Sequence, residues 1–387
     1  MERIYLDNGA TSFPKAPEVA SEMKNYIENV GCNISRGGYT KAYDLEATIY
    51  ETREMVSDFF NFGEPKNVCF TPSVTYSLNF VISGVLKKGD HVIISGVEHN
   101  AVARPVYNLR NDVEYTVSEC DSEGFLDMEK FEKSFKDNTK LVVIAHGSNV
   151  CGTVQDIEKI GSICREKGVF FVVDAAQTAG IIDIDFRKCN MSGLCVPAHK
   201  GLLGPQGLGL LMVTDELAGA IDPVILGGTG SLSDLLEMPD FLPDRFEPGT
   251  LNIPGIVGLN AALRFVRETG TKQIWDHEIM LTKAFLNGLK GIDGIRVVGA
   301  DDLTRRTGVV SIDFLDVDNS DASFALDDEY GIMTRCGLHC SPLAHKTLGT
   351  FPQGTVRFSF GFFNTMEDVK TALKAVGNIV IDYKKCK

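Results

Sequence analysis

Apolar positions along the chain follow two rhythms. Val19, Met23, Ile27 and Val30 recur at helical spacing over 17–30, and Leu45, Ile49, Val56 and Phe59 do the same across 44–60. From there short apolar runs alternate with amphipathic stretches. Val68–Thr71, His91–Ser95, Val113–Val117, Leu141–Ala145 and Val169–Val173 read as strands, and 74–86, 99–109, 127–135 and 155–167 as the helices between them. Short, continuously apolar strands separated by helices predict a mostly parallel sheet covered on both faces. Such sheets gather ligands at the carboxyl ends of their strands. After about residue 260 the texture changes. Helices at 256–268 and 274–289 precede strands near 295–298 and 308–314. A loop rich in Gly, Cys and His follows at 335–354, then a strand at 355–360 and a helix at 366–380. The expectation is an α/β fold in two parts: a large domain over 15–258, and a smaller α+β domain built from 1–14 with 259–387.

Composition removes several classes. The 387 residues, 44% of them hydrophobic, supply a large core. A net charge of −14 disfavours nonspecific binding to nucleic acid or anionic membrane. No early segment has the build of a signal peptide, and no apolar run is long enough to cross a bilayer, so the expected location is the cytoplasm. Ten cysteines occur without a CxxC pair or zinc spacing, which predicts reduced thiols, most of them buried, with one or two doing chemistry. Neither GxGxxG at the first strand–helix turn nor GxxxxGK[ST] is present, which argues against a nucleotide-binding module.

Four places carry candidate chemistry. Asp174 ends an apolar strand, where a carboxylate points into the ligand crevice or else caps a following helix. Twenty-six residues on, Lys200 stands between His199 and Gly201, with Gly204 and Gly207 close behind. A loop lysine is ordinarily just exposed, but these glycines would let the backbone approach a bulky ligand. Such an acid and amine suit pyridoxal 5'-phosphate (PLP): the acid keeps the pyridine nitrogen protonated and the amine forms the Schiff base. The turn Phe70–Thr75 leads from strand to helix, so the N–H groups at Val74 and Thr75 face an anion such as a phosphate, unless Ser73 or Thr75 merely caps the helix. His99 follows the next strand and would reach the same crevice, to stack on a ring or move a proton, or to serve structurally.

The segments Leu6–Thr11, Glu98–Asn100, Ser148–Val150, Asp174–Gln177, His199–Lys200, Arg245–Thr250, Arg335–Cys340 and Val356–Ser359 come in an order that resembles the class V aminotransferases, most closely the cysteine desulfurase and selenocysteine lyase family. The resemblance runs almost end to end. It implies the PLP-dependent transferase fold type I and a homodimer. Lys200 would bind the cofactor, Asp174 its pyridine nitrogen and Gln177 its ring hydroxyl, with His99 stacked on the ring. Thr75, Val74 and His199 would hold the phosphate, with Thr250 reaching in from a second subunit. Asn149 and Arg357 would hold the substrate carboxylate, with Asn8 and Arg36 also on the substrate side. Cys340 would be the nucleophile that takes the sulfur.

The implied reaction converts L-cysteine to L-alanine and passes sulfur through Cys340 to an acceptor protein or reductant. L-selenocysteine, cysteine sulfinate or an ordinary transamination are the rivals on the same fold; a noncatalytic partner protein is the rival outside it. Cys336 is a candidate second thiol, able to resolve a sulfur adduct. Ser35, Ser73 and Pro197 depart from the family pattern. Pro197 has neither hydroxyl nor N–H to offer a phosphate.

Overall fold

The computed structural model describes residues 3–34 and 37–386. Thirteen strands occur among them: β1 (Ile4–Tyr5), β2 (Val68–Thr71), β3 (His91–Ser95), β4 (Glu114–Ser118), β5 (Thr139–Ala145), β6 (Phe170–Asp174), β7 (Gly193–Pro197), β8 (Gly209–Val213), β9 (Ile295–Val298), β10 (Val309–Phe314), β11 (Ile332–Met333), β12 (Arg335–Gly337) and β13 (Thr355–Ser359). The central sheet has the order β2-β8-β7-β6-β5-β3-β4, and only β8 runs against the others. Successive side chains of a strand point to opposite faces, and the sheet's two cores show it. Ile93, Val142, Ile144, Phe171, Val173 and Leu194 fall in one apolar cluster; Val92, Ile94, Leu141, Val143, Val172 and Cys195 fall in the other. Strands buried on both faces have no polar side to show, which is why they read as unbroken apolar runs. The edge strand β4 begins with exposed Glu114 and Tyr115.

The sheets β12-β13-β10-β9 and β1-β11 complete the framework. The four-stranded sheet is antiparallel and packs on a core that includes Phe285, Ile312, Val356 and Phe358. After β1 the chain runs along the end of β13, where Asp7 bridges Ser359, and then crosses to the central sheet, where Ser12 N–H donates to the His199 carbonyl at 3.0 Å. That crossing brings both ends of the sequence to one crevice.

Several expected elements shift. The first helix spans Val19–Asn25, continues as a single wider turn over Tyr26–Val30 and stops at Gly31, whose φ of 58° is left-handed. The second begins earlier than expected, at Thr40. The fourth strand lies one residue later than Val113–Val117. Strands β7 and β8 were not anticipated: each opens on Gly, and β7 ends on Pro197, so turn-forming residues mask the apolar run between them. Residues 335–354 are not a plain loop, because they contain β12 and the helix Pro342–Thr347. Among the described residues no helix is long and apolar enough to cross a membrane.

Candidate functional site

Asp174 closes β6 and is level with Ala145 on β5 and Cys195 on β7. It is buried, and its Oδ1 accepts the Ala176 N–H at 2.9 Å. The next residues form turns rather than a helix, so helix capping does not explain it. Burial pushes its carboxyl above the usual range, against the Ala176 hydrogen bond and the charge of Lys200. No donor among the described residues engages Oδ2. One strand away Glu98, fully buried, accepts from Ala145 N–H at 2.9 Å and from the Ser95 hydroxyl at 2.5 Å, tying β3 to β5. Burial raises it to about 8.

Lys200 follows β7 on a tight turn. Its carbonyl accepts Leu203 N–H at 2.8 Å, and Leu203 takes a left-handed φ of 58°. Burial lowers the amine to about 8; Asp174 pulls it back up, and Arg357 and Arg335 press it down. The glycines behind the turn are explained by protein rather than by a ligand, a correction to the expectation drawn from sequence. A Cβ on Gly201 would stand 2.4 Å from the Ala179 carbonyl oxygen, and a Cβ on Gly204 would stand 2.9 Å from that of Ala198. Gly207 is glycine because its φ is 77°.

His99 caps the helix Asn100–Asn108. Its Nδ1 accepts Ala101 N–H at 3.0 Å, so the ring proton sits on Nε2. Burial lowers it to about 4, helped by Lys200, Arg335, Arg357 and Arg104, and the imidazole is neutral at physiological pH. It is therefore both a structural cap and a group in the crevice, where it lines a depression with Thr75 and Cys340. Beyond it, Ser73 precedes the helix Val74–Val85 and makes no side-chain cap. No acceptor among the described residues engages the N–H of Val74 or Thr75. Strand β8 passes close beneath this turn: a Cβ on Gly209 would meet the Ser73 carbonyl carbon at 2.4 Å and Val74 N at 2.7 Å. His199 has a buried Nδ1 with no partner.

Cys340 is the only exposed thiol among the nine cysteines whose side chains are described; five are buried and three half-buried. It stands on a left-handed pair, with φ of 48° at His339 and 59° at Cys340, a geometry that costs on the order of 1–3 kcal/mol per residue and persists only where surroundings enforce it. Asn149 Nδ2 donates to the His339 carbonyl at 2.7 Å, and the Ser341 hydroxyl donates to Asn149 Oδ1 at 2.7 Å. Asn100 N–H donates to the Cys340 carbonyl at 2.8 Å, joining this loop to the helix that His99 caps. Arg335 Nη2 lies 3.7 Å from Cys340 Sγ. Cys336, the next residue on β12, faces the other way, toward the Ser320 hydroxyl at 3.9 Å. This places it badly for the resolving role considered from sequence.

The substrate-side residues are differently engaged. Arg357, buried, donates from Nη2 to Asp7 Oδ1 at 2.7 Å and from Nη1 to the Asn149 carbonyl at 3.1 Å, and its Nε has no partner. The Asn149 amide is spent on the Cys340 loop. Asn8 is spent on the Ser359 carbonyl, Asn364 Oδ1 and Phe13 N–H. Gln177 Nε2 donates to the Gly9 carbonyl at 3.0 Å, which leaves its oxygen. Thr250 is exposed and shares depressions with Phe70 and Glu247, not with Lys200. Arg36 lies outside the described residues. Sequence reasoning passed over Asp7 and Glu98, although both sit inside segments it quoted, and over Lys15, for which no local signal exists.

The family described as Aminotransferase class-V matches residues 4–372. The chain is 34% identical over 376 residues to the probable cysteine desulfurase of Methanothermobacter thermautotrophicus, covering 95% of this chain and 92% of that protein. The apo structure of the cysteine desulfurase from Thermococcus onnurineus NA1 superposes with a TM-score of 0.92 at 33% identity, covering 98% of this chain and 95% of that one. The cysteine desulfurase CsdA of Escherichia coli, in its S-sulfonic acid form, gives 0.88 at 26% identity, with 98% and 95% covered.

Proposed function

The chain belongs to the cysteine desulfurase family of the class-V aminotransferases, and from that premise we propose that it binds PLP through Lys200 and moves the sulfur of L-cysteine onto Cys340, releasing L-alanine. The observation that carries this reading is a lysine amine lowered to about 8, under the charge of a buried strand-end carboxylate, and felt by His99, which lines one depression with the exposed thiol of Cys340. The donor set suits the cofactor. Asp174 Oδ2 is available to a pyridinium N–H. The N–H groups of Val74 and Thr75, the Thr75 hydroxyl and the orphaned His199 Nδ1 are available to a phosphate. Pro197 has no part in this, since it pairs with Gly209 in the sheet.

When bound, the cofactor supplies an electron-accepting ring that labilises the Cα proton and the Cβ–S bond of the substrate. The protein supplies the rest. Lys200 Nζ takes the Cα proton, as an amine with its value near the working pH can do well. Asp174 balances the positive ring nitrogen. Neutral His99 keeps a proton on Nε2 to hand on within the crevice. Arg357 offers its fork to the substrate carboxylate. Cys340 Sγ attacks the substrate sulfur: an S–S bond forms, the Cβ–S bond breaks, and the electron pair left at Cβ takes a proton to become the methyl group of alanine. Cys340 then carries one added sulfur for a thiol acceptor or reductant.

Thr250 stands apart from Lys200 within one chain, so its role at the phosphate rests on a second copy, and the assembly we propose is a homodimer. Nine cysteines whose side chains are described, all free thiols, suit a reducing compartment such as the cytoplasm. Mass spectrometry of the holoenzyme after cysteine addition tests the function, with the added sulfur expected on the Cys340 peptide. Cys340→Ala should stop alanine production while keeping the visible band of the bound cofactor. Full activity in that variant overturns the proposal. Running L-selenocysteine and cysteine sulfinate beside L-cysteine ranks the substrates.

A further inference from the structure

One carbonyl oxygen next to Lys200 is crowded with donors. The His199 carbonyl, whose carbon is bonded to the Lys200 nitrogen, accepts from Ser12 N–H at 3.0 Å, the Thr11 hydroxyl at 3.1 Å, the Ser12 hydroxyl at 3.2 Å and Lys15 Nζ at 2.9 Å. Lys15 Nζ also donates to Thr11 Oγ1 and Ser12 Oγ, each at 3.1 Å. An ammonium group has three donors and no acceptor, so this arrangement fixes every proton. Lys15 donates to both hydroxyls and to the carbonyl, and each hydroxyl passes its own proton on to the carbonyl. Among the described residues no carboxylate pairs with Lys15, and its three partners are these oxygens. The next residue grips the other end of the same turn, where Ala16 N–H donates to the Leu203 carbonyl at 3.2 Å. Residues 11–16 thus hold both ends of the five-residue turn that carries Lys200, while Gly201 is pressed against the Ala179 carbonyl from behind.

We propose that Lys15 is a positioning residue for Lys200. Through the His199 carbonyl, and with Thr11 and Ser12 as its relay, it fixes the peptide from which the reactive amine extends, and its charge bears on the adjoining His199. A purely structural lysine would stabilise the loop and leave the chemistry at Lys200 unchanged. A positioning lysine alters both where the amine sits and how readily the group it forms holds a proton. The inference rests on the proposed attachment of PLP to Lys200.

The test uses the holoenzyme and Lys15→Met, which keeps an unbranched stem as far as Cε and removes the charged Nζ. The readouts are the pH midpoint of the cofactor's visible band, and kcat and KM for cysteine. Burial lowers Lys15 itself to about 8, so below that pH its loss removes a cation and favours the protonated form, and a midpoint in that range should rise by about half a unit. Misplacing the amine should cut kcat about tenfold with KM within about twofold. Lys15→Arg should recover most of both. A folded Lys15→Met holoenzyme with wild-type midpoint and kcat overturns the proposal. Should Lys15→Met not fold, Thr11→Val with Ser12→Ala removes the relay and keeps Lys15; an altered midpoint supports the role, and an unaltered one overturns it. The midpoint is readable without turnover. A wild-type protein that binds PLP but makes no alanine from cysteine therefore refutes the desulfurase reading and leaves this inference standing. A wild-type protein that forms no visible band with PLP refutes both.

Discussion

The Lys200 turn and the Cys340 loop are held in opposite ways. The turn is gripped mainly through its backbone: the His199 and Leu203 carbonyls are bound by the N-terminal segment, and Gly201 lies against another peptide at a distance that excludes any side chain. The loop is held at its base by side chains of Asn149, Ser341 and His339, the last bonded to Thr355 Oγ1 at 3.0 Å, and by a single backbone bond from Asn100 N–H to the Cys340 carbonyl, while the Cys340 thiol is left exposed on a left-handed backbone. A group that must meet a fixed atom is built into packed backbone. A group that must meet one molecule inside and another outside is left free at its tip and anchored beside it.

Substitutions can break this contrast, in order of expected effect. Lys200→Ala and Cys340→Ala should each lower cysteine-dependent alanine formation by about 10³-fold or more. Absorbance separates them, because only the lysine variant loses the cofactor band. Asn149→Ala should come next. It strips the His339 carbonyl and the Ser341 hydroxyl of buried partners, a loss of about 1–3 kcal/mol by chemical denaturation, and should slow sulfur transfer about tenfold with the band unchanged. An Asn149→Ala enzyme with normal transfer would mean that the Cys340 loop needs no anchor. Gly201→Ala should destabilise the protein by about 1–3 kcal/mol and reduce cofactor retention, since the added methyl meets the Ala179 carbonyl.

The remaining effects are smaller. Capture of PLP by the apoprotein needs the neutral amine, so its rate should rise with pH through about 8 and level off above it. His99, lowered to about 4, should contribute no step between pH 5 and 8. A rate that falls across that rise would reverse the charge assignment at Lys200. Cys336→Ser should change turnover by less than about twofold, because its sulfur faces Ser320.

Much of the architecture was legible because it follows from periodicity. Strands β5 and β6 are apolar without a break over Leu141–Ala145 and Phe170–Val173, and that pattern fits a sheet covered on both sides. Strands β7 and β8 escaped because Gly193, Pro197 and Gly209 look like turn residues in sequence, whereas Gly209 is needed where β8 passes under the Ser73–Val74 turn. Asp174, Lys200 and Cys340 were legible as residue types in motif order. The role of Asn149 as an anchor was not, because its partners lie about 190 residues away along the chain. The Lys15 network escaped for the same reason: its key acceptor is a backbone carbonyl 184 residues distant, and a carbonyl leaves no mark in the amino-acid sequence.

The Asp7–Arg357 pair has a bearing on selectivity. One arm of the guanidinium is already taken by an internal anion, 20% exposed, so a carboxylate reaching for that arm would bind by exchange rather than by filling a vacancy. A small anion such as chloride or acetate gains only the difference between two similar partners, and that difference is near zero. An amino acid adds the grip of the rest of the crevice. If substrate carboxylate docks at Arg357, the tethered aspartate would set a threshold, so that weak anions would be turned away by a competitor that never diffuses off.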